Sequence, residues 1–350
     1  MKRTPTQSEI QNPNISKLSE FTEEGLHDIL IYAIQHHNNG MVKTLLDYGA
    51  NPNFNNDANG SFLMIMDKFI EDATVDKTPI EFAIRYNNPI AMKHLLDYGG
   101  IVVNSSPFLV HRSPILKLCR TKNFECLAPF IETMEHIDMP IGNTWGKSLV
   151  GISIEYRNKD LYDFLVGLGA NPYGNTFSNG RYIKNKNVFN VIFRTNYDVD
   201  QIIDMLEFLQ SRDISIHGLP DHFHYPYEQV MSSKHSLKLL QYMISKGVDI
   251  EKNNHHAILS AIGIADEETL QFIIEQSKNL NVKSNHNKTP IDIALYHKRL
   301  DLVKVFLELG VDYSYDDMIK LAVEDKSNEI IDLFFNHELK KDGLTSLWGL

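Results

Sequence analysis

The chain has 350 residues, 43% hydrophobic and 23% charged, enough for one long domain or two or three compact ones with a sizeable core. Its 45 acidic and 34 basic side chains leave a net charge of −11, the wrong sign for a general nucleic-acid or anionic-membrane binder, which needs a basic excess. Only two cysteines, Cys119 and Cys126, occur, which excludes a disulfide framework or a cysteine-rich zinc module and suits a reducing compartment. The first 25 residues contain no apolar run of signal-peptide type, and nowhere do 18 apolar residues follow one another, so a soluble, cytoplasmic protein is expected.

In chain order, residues 1–25 lack periodicity and are rich in Gln, Asn, Ser and Pro, which predicts a disordered or weakly ordered tail. From Leu26 onward two phrases recur. The first is Leu45-Leu46-Asp47-Tyr48-Gly49-Ala50-Asn51-Pro52, which returns around Gly99, Gly169, Gly247 and Gly310. The second is Thr78-Pro79-Ile80-Glu81-Phe82-Ala83, matched by Thr289-Pro290-Ile291-Asp292-Ile293-Ala294 and weakly by Ser113-Pro114 and by Ser148-Leu149. The small or apolar residue ending the second phrase places successive copies at Ala33, Ala83, Leu118, Ser153, Ile192, Met231, Ala261, Ala294 and Ala322. After the first step the spacing is 28–39 residues.

Each copy reads as a helix pair. Thr78 is an N-cap and Pro79 takes the first helical position, where a missing N–H costs nothing. Asn87-Asn88-Pro89 breaks the chain and opens a second helix, and Gly99 supplies the left-handed residue that ends it. Helices this short need neighbours on both sides, so the copies stack. The phrases resemble the ankyrin-repeat family, whose unit is 33 residues long and contains T-P-L-H-x-A. The resemblance implies an all-α, ankyrin-repeat α-solenoid of about nine irregular helix-pair repeats over 26–340, with a terminal tail at 341–350. It also implies a non-catalytic protein-interaction module that binds, masks or bridges partners through finger loops and a concave face. The irregular repeats and the 30 asparagines resemble ankyrin proteins of intracellular bacteria and large DNA viruses, which implies a host-directed effector working in the host cytosol.

Catalytic look-alikes fail on their details. Gly142-Asn143-Thr144-Trp145-Gly146-Lys147-Ser148 is one residue short of a phosphate-binding loop, and Ser148 reads better as a helix cap. His337-Glu338-Leu339-Lys340-Lys341 lacks the second histidine of a zinc-protease helix. Cys119 and Cys126 read as core thiols, and Asp316-Asp317 as acids placed at a helix start. His222 and His224 with His255 and His256 could converge on a metal if neighbouring repeats align them, so an enzyme or metal protein with a site in the His217–His256 region is the alternative. Self-association is another, and the oligomeric state stays open. No cofactor is implied.

The irregularities carry the binding expectation. Residues 61–73 form an insertion, Phe62-Leu63-Met64-Ile65-Met66 among them, expected as an extra helix that is mainly core. No acid occurs between Asp163 and Asp198, while Arg181, Lys184, Lys186 and Arg194 do. Tyr173, Phe177, Arg181 and Tyr182 on one long finger, with Trp145 before it and Phe223 and Tyr225 after it, are expected to form a basic, aromatic strip for a protein partner with an acidic surface. Aromatic and arginine side chains are the types enriched at interface hot spots. A nucleic-acid partner over the same cations is opposed by the overall charge, and no membrane partner is expected.

Overall fold

The computed structural model describes residues 2–54, 78–101, 114–120, 124–141, 147–178, 181–183, 187–217, 226–251, 257–313 and 328–341. The inserted helix expected near 61–73 and residues 342–350 of the expected C-terminal tail lie outside them. The chain divides into two compact units, residues 1–191 and 192–350, with the division inside one helix.

In the first unit the expected N-terminal tail is ordered instead. Helix α1 (Gln7–Gln11) is closed by a capping box between Thr6 and Glu9. A 3-10 helix over Ile15–Glu20 follows, and Leu18 and Phe21 are fully buried. Arg3 pairs its backbone with the Glu20–Thr22 segment, at 2.8 Å from its N–H to Glu20 O and 3.0 Å from Thr22 N–H to Arg3 O. Pro5 lies so close to helix α2 (Glu23–Gln35) that a Cβ on Gly25 would stand 2.4 Å from Pro5 Cδ. Two capped turns and two buried side chains suffice here because α1 leans on α2, and no hydrophobic period is needed.

Four helix pairs follow: α2 with α3 (Asn39–Asp47), α4 (Pro79–Arg85) with α5 (Pro89–Asp97), α6 (Pro114–Arg120) with α7 (Leu127–Glu132), and α8 (Leu149–Glu155) with α9 (Lys159–Gly167). First helices pack in the row α2–α4–α6–α8 and second helices in the row α3–α5–α7. Ala33, Ala83, Leu118 and Ser153 are all buried between neighbours, as their spacing implies.

The turn inside a pair repeats to the atom. His37, Asn87 and Arg157 take left-handed φ values of 56°, 46° and 51°. The next N–H then returns to the small residue, Asn38 to Ala33 O at 2.9 Å, Asn88 to Ala83 O at 2.9 Å and Asn158 to Ser153 O at 2.8 Å. Each of these asparagines caps its second helix, accepting from Met41, Ala91 and Leu161 N–H respectively. Two of them also donate to the preceding repeat: Asn88 Nδ2 to Ile34 O at 3.0 Å and Asn158 Nδ2 to Cys119 O at 2.9 Å. At Asn88 and Asn158 one residue thus closes a turn with its backbone N–H, and its side chain starts a helix and ties a repeat to its neighbour.

The second unit contains α11 (Val199–Gln210), α12 (Pro226–Val230), α13 (Ser236–Ser245), α14 (Ala257–Ile264), α15 (Glu267–Gln276), α16 (Pro290–Tyr296), α17 (Leu300–Glu308) and α18 (Asn328–Lys341). The helix that holds the division, α10, spans Val188–Arg194. Rows α12–α14–α16 and α11–α13–α15 repeat the arrangement of the first unit. Counted in chain order, the described residues hold eight complete helix pairs and one helix of a ninth. Pro226 opens α12, so its equivalent of Ala83 is Val230; Met231, read from the sequence, lies one residue beyond.

Six second helices, drawn from both units, end the same way, while α7 and α15 do not. Gly49, Gly99, Gly169, Gly247 and Gly310 have φ between 72° and 101°, and Asp213 takes that place after α11 at φ 59°. The residue after each donates back to a helix carbonyl, as Gly100 does to Leu95 O at 2.7 Å and Ile214 to Leu209 O at 3.1 Å, the Schellman closure. Fingers are joined at their bases by side chains that cap the next backbone. Asn53 donates to Gly99 O (2.9 Å) and accepts from Ile101 N (2.8 Å). Asp138, fully buried, accepts from Asn171 N at 2.9 Å. In the second unit Glu251 accepts from Lys278 N at 2.7 Å and Asn281 from Asp312 N at 2.6 Å.

Candidate partner-binding surface

The long finger between Asn171 and Asn187 is a β-hairpin, with β1 (Thr176–Ser178) antiparallel to β2 (Arg181–Ile183). Thr176 faces Ile183, Phe177 faces Tyr182 and Ser178 faces Arg181. Asn179 and Gly180 are the only residues between the strands, and Asn-Gly is the dipeptide that two-residue hairpins favour. That pair was the sequence signal for a hairpin rather than an irregular loop.

An isolated two-stranded hairpin is marginal in water, so its anchorage matters. Four bonds hold its base. Tyr162 Oη donates to Pro172 O at 2.9 Å, Ser148 Oγ to Gly174 O at 3.0 Å, and Val188 N to Tyr173 O at 2.9 Å. Asn171 Oδ1 accepts from Tyr173 N at 2.9 Å, while Asn171 N is itself held by Asp138. Gly174 turns the chain at φ 64°, and a Cβ there would meet Val188 Cγ1 at 3.1 Å. Ser148 also accepts from Gly151 N at 3.2 Å, which makes it the cap of α8 as its place in the sequence suggested.

Of the residues expected on the strip, Tyr173 is half-buried at the hairpin base, and Phe177, Arg181 and Tyr182 lie on the paired strands. Trp145, Phe223 and Tyr225 lie outside the described residues, as do His222, His224, His255, His256, Asp316 and Asp317. Phe223 and Tyr225 also belong to the second unit.

A second surface, which the sequence reading passed over, runs along the first helices of the first unit. Tyr32 stacks on His36 at 3.9 Å, and Phe82 lies parallel to Tyr86 at 6.4 Å with the Arg85 guanidinium 5.9 Å over the Phe82 ring. Arg120 sits 4.7 Å over Tyr156 and donates to its hydroxyl at 3.1 Å. Burial raises the Tyr156 pKa against the pull of Arg120, and burial lowers that of Lys117 on the same row. The signal was available: Tyr32 with His36 and Phe82 with Tyr86 are four apart, a spacing that makes each pair neighbours on the helix surface. The corresponding helices of the second unit expose Ile264 and Tyr296, with no cation on either α14 or α16.

Cys119 and Cys126 are buried, and burial pushes both thiols up to about 12, so neither is poised as a thiolate nucleophile. Cys126 Sγ lies 3.5 Å from Ala83 O and acts as a core contact. No helix among the described residues is long and apolar enough to cross a membrane.

Stacked helix pairs, six of them with a left-handed close after the second helix, define a helical repeat protein built to present surface. Comparison with known sequences agrees. A three-copy ankyrin-repeat profile matches residues 229–317 and a single ankyrin repeat matches 28–57, so both units carry the motif. An ankyrin repeat protein of Rickettsia felis is 33% identical over 97 residues, 25% of this chain and 25% of its own. Alpha-latrotoxin-Lg1a of the spider Latrodectus geometricus is 23% identical over 111 residues, 29% of this chain and 8% of the toxin. The chain thus matches a quarter or less of the length of either relative. These matches support ankyrin repeats in both units, and such repeats are in general protein–protein interaction modules and typically non-catalytic.

Proposed function

We propose that this chain is a non-catalytic binding module whose main contact is the first unit, through the hairpin finger and the aromatic, cationic row of first helices beside it. The observation that carries the reading is the hairpin's anchorage: four bonds fix a projecting element that no helix of the stack requires. A finger held in one geometry loses little entropy when a partner docks. Charge supports an acidic partner. Residues 1–191 carry 18 basic and 20 acidic side chains, residues 192–350 carry 16 and 25, and residues 101–191 hold a basic excess of 10 to 7. The partner surface comprises Tyr173, Phe177, Arg181 and Tyr182, with Trp145 on the preceding finger; Phe223 and Tyr225 are a separate, second-unit contact. Work as a host-directed effector in the host cytosol is part of the same reading, and its support is the rickettsial relative and the asparagine-rich composition.

The test is capture of partners from a host-cell lysate by the intact chain and by two variants, Tyr182→Ala with Phe177→Ala, and Arg85→Ala with Arg120→Ala. A protein captured by the intact chain and lost with either pair, at unchanged helical content, is the expected outcome. Capture unaffected by both pairs would move the contact to the second unit.

A further inference from the structure

The hairpin has a property that its side chains do not account for. In a hairpin with a two-residue loop, the residues flanking the loop exchange both backbone hydrogen bonds, and pairing then alternates along the strands. Ser178 and Arg181 flank the loop, and Thr176 and Ile183 are the next bonded pair. Phe177 and Tyr182 therefore form the unbonded pair between them. Their N–H and C=O groups point outward, away from the partner strand, one set on each edge. Among the described residues no third strand joins this sheet. Each edge offers one donor and one acceptor spaced for an incoming extended chain.

From this we infer that the hairpin binds its partner by strand addition: an extended, acidic segment of another protein pairs with the Tyr182 edge through backbone hydrogen bonds. Charge selects the occupant. From residue 164 to 193 the only charged residues are Arg181, Lys184 and Lys186, and all lie on β2 or directly after it. An exposed edge is otherwise a template for self-association, and native proteins blunt it with cations and short strands. Three residues of strand with three cations on or beside β2 repel a second copy of the same hairpin and attract a strand of alternating acidic and β-branched residues. The anchored base lowers the entropic cost of adding that strand. The inference rests on the hairpin being the partner contact, yet it fails separately: recognition by the Tyr182 side chain alone would leave the binding-module reading standing and overturn strand addition.

The experiment uses the full chain and a fluorescein-labelled eight-residue peptide alternating Glu and Val, with a Lys–Val peptide as control. Strand addition predicts saturable binding of the Glu–Val peptide only. Affinity should fall about tenfold or more in Tyr182→Pro, which removes the outward N–H, and by as much when the unmodified chain meets a Glu–Val peptide N-methylated throughout, which keeps its side chains but loses its backbone donors. Because proline could disturb the hairpin itself, amide exchange of the unmodified chain provides the second reading: Tyr182 N–H should exchange fast alone and slowly with saturating peptide. Failure of the Glu–Val peptide to bind, equal binding of the Lys–Val peptide, undiminished binding of the N-methylated peptide, or a Tyr182 amide whose exchange the peptide does not change, would each overturn it.

Discussion

The two units stack the same helix pair but secure it differently. In the first, the second helices after α2, α4 and α8 open on Asn38, Asn88 and Asn158, and two of these amides reach the preceding repeat. In the second, Asp198 and Asp266 cap α11 and α15, while α13 and α17 open on His235 and Arg299, neither with a side-chain cap bond. There the ties between repeats are made by Glu251, Asn281 and the Ser236–Asp266 bond of 2.8 Å. A helix pair thus needs some tie to its neighbour, while the residue supplying it is free to change. Surface chemistry is freer still: one unit is near neutral with an aromatic, cationic row, the other strongly acidic. That divergence is not demanded by the stack, which is why binding chemistry is sought in the first unit.

The sharpest way to break the comparison is at the caps. Asn88 is 1% exposed, so Asn88→Ala removes a cap and the Nδ2 bond to Ile34 O, a carbonyl that still accepts from His37 N–H at 3.2 Å. The expected loss is about 2–3 kcal/mol, from roughly 1–2 for the cap and roughly 1 for the inter-repeat hydrogen bond. Urea unfolding followed by circular dichroism, with amide exchange to localise the loss to the first unit, measures it. At the matching position of the second unit, Arg299→Ala should cost no more than about 0.5 kcal/mol, since only a partly exposed bridge to Asp301 goes. Equal losses at both sites would show that the asparagine ties carry no special weight.

Next in size is a pH effect. His27 on α2 is buried against Phe54, ring centroids 4.7 Å apart, and burial lowers its pKa from 6.5 to about 4. The unfolded chain therefore takes up a proton near pH 6.5 that the folded chain refuses until about pH 4. Stability attached to this residue is complete above pH 6.5 and is lost as the pH falls toward 4, on the order of 2 kcal/mol in all. His27→Leu should flatten that part of the stability profile between pH 7 and 4. A profile unchanged by the substitution would place the acid sensitivity elsewhere.

The smallest contrast is at the left-handed helix ends. Gly99→Ala should destabilise by about 1 kcal/mol, although no atom lies within 4 Å of the added Cβ, because the cost is backbone strain at φ 85°. Asp213→Gly should do the reverse by a similar or smaller amount. Thermal unfolding of the two single variants checks the opposite signs.

The repeats were legible because each imposes several residues at fixed offsets. Thr78 and Thr289 cap α4 and α16 with proline in the first turn, and the five glycines end second helices, as their phrases imply. The exactness failed where a repeat lost its phrase: α12 keeps only its proline, and its register slipped by one residue. Single long-range bonds left no trace at all. Asn88 to Ile34 spans 54 residues and Asp138 to Asn171 spans 33, and one amide or carboxylate in a chain with 30 asparagines carries no period. The ordered N-terminal segment was invisible for a related reason, since Leu18 and Phe21 pack as individuals. On the candidate surface, the finger was visible as a run without acids, but its strand pairing was hidden in a dipeptide, Asn179-Gly180.

The bond from Asn53 to the base of the next finger bears on how this chain can lengthen. Asn53 is fastened to Gly99 and Ile101, which lie 46 and 48 residues further along the chain. Closing a loop between two fixed ends costs only about 0.6 kcal/mol for each doubling of its length. The cost of holding the two finger bases together thus grows only slowly with the sequence between them, so the repeat period can lengthen while the contact is kept.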